Sequence, residues 1–118
     1  MKVEERAIGD VTILAVEGRM TVDASQDERV ADKVRALLRQ GRKQIVLDLA
    51  GVSHIDSSGL CDIVMAYTTT IRRDGSLKLL NPTPRVRDLL RITKLRTVLD
   101  AYDSEADALA SFGSSPSV

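Results

Sequence analysis

Two short runs rich in apolar residues, Val3 to Ile8 and Val11 to Glu17, flank Gly9-Asp10. A glycine first in a two-residue loop suits a type II′ turn, so this pattern predicts a β-hairpin. The second run, Val11-Thr12-Ile13-Leu14-Ala15-Val16, is apolar at most positions, as expected of a strand covered on both faces. Gly18-Arg19-Met20-Thr21-Val22 then leaves the sheet, and Asp23 or Ser25 is placed to cap a helix. Val30, Ala31, Val34, Leu37 and Leu38 recur at helical spacing, with Arg29, Arg35 and Arg39 largely off that stripe. Gly41 is expected to end the helix in the left-handed conformation.

The alternation continues. Ile45-Val46-Leu47-Asp48-Leu49 reads as a short buried strand, and Gly51 to Ile55 leads from it into Asp56-Ser57-Ser58-Gly59. Leu60, Ile63, Val64, Tyr67 and Ile71 form a second helical stripe that Gly75 terminates. Leu77 to Leu80 is a further strand. Pro82 and Pro84 mark a turn, Pro84 fits the first turn of a helix, and Val86, Leu89 and Leu90 give that helix its inner face. A last short strand is expected at Thr97 to Leu99. Ser104 and Asp107 read as a capping box before a closing helix whose stripe is Ala106, Leu109, Ala110 and Phe112. A hairpin followed by alternating helix and strand predicts an α/β fold: a mixed, mainly parallel sheet of about five strands with about four helices. Residues 1–112 form one domain in this reading, and 113–118 a flexible tail.

Composition narrows the function. The chain has 118 residues, enough for one domain with its own core. Lys plus Arg and Asp plus Glu both number 17, so no net charge draws it to nucleic acid or membranes. Tyr67, Tyr102 and Phe112 are its only aromatics, too few for a base-stacking platform. Cys61 stands alone, which excludes an intramolecular disulfide and a cysteine-rich metal site. No apolar run would span a bilayer and no signal-peptide core opens the chain, so a cytoplasmic location is expected.

The chemistry-bearing stretch is Asp56-Ser57-Ser58-Gly59, which follows a strand and opens a helix. Function in open parallel sheets gathers outside the carboxyl ends of the strands. A helix start offers unpaired N–H groups and a positive dipole end, so a hydroxyl there can be a cap, a nucleophile or a phosphate acceptor. A serine hydrolase would need converging partners; the single His54 lies in the same extended segment, and the Gly-x-Ser-x-Gly elbow is absent. His54, Asp56 and Asp48 fall short of a metal ligand set. Gly41-Arg42-Lys43 lies between helix and strand, the wrong order for a phosphate loop. A receiver domain would need an acidic pair after the first strand, where Ile8-Gly9-Asp10 and Glu17-Gly18-Arg19 stand. Arg85, Arg87, Arg91, Lys94 and Arg96 suit a solvated helix face or an acidic partner. As a structural element alone, the motif is an N-cap, which leaves the second hydroxyl and the glycine unexplained.

Ile55-Asp56-Ser57-Ser58-Gly59-Leu60, after Ile45-Val46-Leu47-Asp48-Leu49, resembles the signature of STAS-domain anti-sigma factor antagonists. The likeness runs to about Phe112 and includes Val16-Glu17-Gly18-Arg19-Met20, Gly75-Ser76-Leu77-Lys78-Leu79 and Pro84-Arg85-Val86. The resemblance implies a STAS-like fold and a partner-switching module that is not an enzyme and needs no cofactor. The unmodified antagonist would bind an anti-sigma factor that is also a serine kinase, releasing a sigma factor. The kinase would phosphorylate the serine after the motif acid, here Ser57, and a phosphatase would reset it. Thr21, Asp23, Asp56, Ser57, Ser58 and Gly59 are the implied partner-binding residues, in a monomer or weak dimer. Family members often carry an acid shortly after the glycine that follows the second strand; Thr21 occupies that place here, with Asp23 two residues on. The alternative is a STAS scaffold or binding subunit of a stress-signalling or transport complex, working without phosphorylation.

Overall fold

A computed structural model of the chain describes residues 2–21, 29–95 and 99–113. Strands β1 (Lys2–Ile8) and β2 (Val11–Met20) form the expected antiparallel hairpin. Gly9 takes φ 60° while Asp10 stays at negative φ, as a type II′ turn requires. Helix α1 (Val30–Arg39) leads to β3 (Gln44–Ile55), α2 (Ser57–Arg72) to β4 (Ser76–Leu80), and α3 (Pro84–Ile92) to β5 (Ala101–Tyr102); α4 (Glu105–Gly113) closes the described fold. The sheet runs β1-β2-β3-β4-β5, every pairing after the hairpin being parallel.

The two faces of the sheet carry separate cores. Leu14, Val16, Ile45, Leu47, Leu77 and Leu79 pack with residues of α1, α2 and α3. Val11, Ile13, Val46 and Leu80 point the other way and meet Ala108 and Phe112 of α4. Strand residues therefore alternate between two buried faces, which is why β2 and β3 read as continuous apolar runs.

Helix ends follow local chemistry. Gly41 has φ 84°, and the N–H groups of Gly41 and Arg42 donate to the carbonyls of Leu38 and Leu37, both at 3.0 Å, a Schellman motif. Thr83 caps α3, with Pro84 in the first turn. Ser104 Oγ accepts from the Asp107 N–H at 3.1 Å, the forward half of the expected capping box.

Several expectations need correction. The helix stop places Asp74 in the left-handed conformation, at φ 61°, one residue before Gly75, whose N–H donates to the Thr70 carbonyl at 2.9 Å. Gly75 is required for space: a Cβ there would lie 2.7 Å from the Lys43 carbonyl oxygen. Ile71 is 47% exposed, because the buried stripe of α2 runs through Gly59, Asp62, Ile63, Ala66 and Thr70. Strand β3 does not stop at Leu49 but continues to Ile55, directly before Asp56. The last strand among the described residues is Ala101–Tyr102; of the expected Thr97 to Leu99, Thr97 and Val98 lie outside the described residues, and Leu99 is buried and not in a strand. Gly113 belongs to α4, and residues 114–118 lie outside the described part.

Candidate functional site

Strands β2 and β3 end side by side at the carboxyl edge of the sheet, where Met20 pairs with Ile55 and the Asp56 N–H donates to the Met20 carbonyl at 3.2 Å. Two register shifts, opposite Ala15–Glu17 and Gly18–Arg19 of β2, each put one extra residue into β3, which bulges on the way there. The chain then turns from extended backbone at Asp56 into α2.

Asp56 is the N-cap. Its Oδ1 accepts from the N–H groups of Ser58 at 2.9 Å and Gly59 at 3.1 Å. A carboxylate at this place satisfies two orphan donors and lies at the positive end of the helix dipole. Neither serine side chain is the cap: Ser58 contributes its backbone N–H and is half-buried. Ser57 is the first residue of the helix, and it is exposed. Asp56 takes the donors of Ser58 and Gly59, two of the N–H groups at this helix start.

Gly59 is explained by contact. A Cβ on it would lie 2.1 Å from the Met20 carbonyl oxygen and 2.7 Å from the Met20 Cβ. Only glycine lets the first turn of α2 press against the end of β2. Thr21 is buried at the same edge, and Asp23 lies outside the described residues, as does Ser25, the other residue expected to cap the first helix. His54 is exposed at the end of β3, with Nδ1 3.2 Å from Ser53 Oγ. Among the described residues no group of three His, Cys, Asp or Glu side chains is placed to hold a metal ion. No described helix is long and apolar enough to cross a membrane.

The residue missed in the sequence is Asp62. It lies on α2, only 3% exposed, and its two oxygens accept from the N–H groups of Val30 at 2.8 Å and Ala31 at 2.9 Å. The α1 N-cap, Arg29, has no side-chain cap of its own. Helix α2 thus caps its neighbour, and the dipole of α1 favours a carboxylate at this place. The signal in the sequence was an acid on the same helical face as Gly59, Ala66 and Thr70.

A mixed sheet with this hairpin and crossover order, ending in an acid-capped, hydroxyl-bearing helix start, is that of a STAS domain; the STAS domain family model matches residues 2–108, and the chain belongs to this family. An anti-sigma F factor antagonist of Paenibacillus polymyxa is 32% identical over 88 residues, 70% of this chain and 75% of that protein. An anti-sigma factor antagonist from Mycobacterium paratuberculosis has a crystal structure similar to this fold, with TM-score 0.80 at 19% identity, over 93% of this chain and 92% of that one. The anti-sigma factor antagonist SpoIIAA in its unphosphorylated form gives TM-score 0.78 at 19% identity, over 98% of this chain and 100% of that one. SpoIIAA of Bacillus, described as a cell fate determinant, in its phosphorylated form gives 0.72 at 18% identity, over 94% and 99%.

Proposed function

We propose that this chain is an anti-sigma factor antagonist that acts by binding rather than catalysis, and that phosphorylation of Ser57 switches it off. The observation that carries the reading is the division of labour at the helix start. Asp56 does the capping, Gly59 does the close packing, and Ser57 is left exposed with no structural task. The names of the relatives support the antagonist role, and SpoIIAA in a phosphorylated form supports the switch. The partner in this reading is an anti-sigma factor with serine kinase activity, and a phosphatase reverses the modification.

The binding face runs from Ser57 along α2 through Cys61, Met65 and Thr68, all exposed and spaced at four, four and three residues. Met65, 48% exposed, supplies an adaptable apolar contact. A phosphoryl group at Ser57 adds about −1.5 to −2 charge at one end of this face. With two helix-start donors held by Asp56, the added charge stands beside that carboxylate, on the face the partner covers. Repulsion between unit charges a few ångströms apart is roughly 1–4 kcal/mol between water and a protein surface, and 1.4 kcal/mol is about tenfold in affinity. The switch therefore needs no change of fold.

The test is to incubate the chain and ATP with the anti-sigma kinase encoded in its source genome and map the product by mass spectrometry. One phosphoryl group on Ser57, absent from Ser57→Ala, is expected. Modification confined to Ser58, or none, would overturn the switch and leave a scaffold role.

A further inference from the structure

A cleft of about 370 Å³ opens at the same sheet edge, between the ends of β2 and β3 and the first turn of α3. Its walls include Arg19 and Thr21, Ser53 and His54, Asp56, and Arg85. The cleft's one carboxylate, Asp56, already faces the start of α2 through Oδ1. The cations of α3 differ in how they are used. Arg87 pairs with Asp103, and Arg91 with Asp88. Arg85 faces the cleft and has no carboxylate partner among the described residues.

From this arrangement we infer that the cleft receives an acidic side chain of the bound protein partner, with Arg85 as its principal contact. Guanidinium is a fork of donors suited to a carboxylate. An exposed pair of this kind is too weak to retain a small free anion in an open cleft. The same pair gains when a protein partner covers it and excludes water. That favours a side chain delivered as part of a larger interface over a free ion. The cleft also adjoins the helix start that bears Ser57, so one partner could cover both. The inference rests on the reading of this edge as partner-binding, and it adds the partner's chemistry: acidic opposite Arg85.

The test does not require the kinase, so it stands or falls separately from phosphorylation of Ser57. The isotopically labelled full chain is titrated at low salt with hexaglutamate, hexalysine or inorganic phosphate, and followed by NMR. Hexaglutamate should shift the signals of Arg19, Thr21, Ser53, His54 and the Arg85 side chain, while hexalysine should leave them in place. Arg85→Ala should weaken the hexaglutamate effect at least threefold while preserving the dispersion of the spectrum; Arg87→Ala, whose partner is Asp103, should weaken it less. Shifts that are absent, that fall elsewhere, or that persist unchanged in Arg85→Ala would overturn the inference. Inorganic phosphate reproducing the shifts with equal affinity would also overturn it, by making the cleft a small-anion site.

Discussion

A methyl group on Gly59 would have to share space with the Met20 backbone, whose carbonyl oxygen stands 2.1 Å from the place of a Cβ. Backbone cannot rotate away as a side-chain tip does, so Gly59→Ala must separate α2 from the end of β2. Overpacking costs about 1–3 kcal/mol, partly offset by alanine's better helix propensity. A net loss of roughly 2 kcal/mol is expected, seen as a lower urea midpoint with an unchanged m value; an equally stable variant would contradict the contact. The individual roles at this edge were only partly legible in the sequence. Asp56, Ser57 and Ser58 are all good caps by composition, and spacing does not say which one folds back on the helix. The turn at Asp56 decides it, by bringing one carboxylate oxygen within 3.1 Å of two N–H groups.

Between elements, the join of α1 to α2 depends on a carboxylate that hydropathy alone would assign to solvent. Asp62 stands beside Ile63 in a run where a polar residue breaks nothing, and its partners are 31 and 32 residues away. No local pattern encodes such a contact. Replacing Asp62 by Ala strips a cap worth about 0.5–2 kcal/mol and leaves two buried donors without partners. Removing the buried charge returns part of that cost, so Asp62→Ala should destabilise by about 2 kcal/mol. Hydrogen exchange should also quicken selectively at Val30 and Ala31, and equal protection in both proteins would show that α1 is held otherwise. By contrast, the Gly41 stop and the Pro84 start were readable, because each rests on backbone conformations set by a few adjacent residues. The stripe of α2 was misjudged at Ile71 because small residues, Gly59 and Ala66, mark its true packing line better than bulky ones do.

At the scale of the molecule, the order of elements carried most of the information. A hairpin followed by strand–helix alternation leaves few sheet topologies when crossovers are right-handed, and the observed order β1 to β5 is the simplest of them. The weakly encoded part is the far edge: β5 has two residues, too few for any periodicity, and is defined by its neighbour Leu79–Leu80. That topology places Ser57 where the ends of β2 and β3 meet, and in the proposed switch charge at this one position governs partner binding. The most direct measurement is the dissociation constant of the anti-sigma factor for the wild-type chain, Ser57→Ala and Ser57→Asp, by calorimetry at physiological salt. The account predicts that Ser57→Ala stays within about threefold of wild type while Ser57→Asp binds at least tenfold more weakly, an energy of about 1.4 kcal/mol. Equal affinity of the alanine and aspartate variants would contradict it.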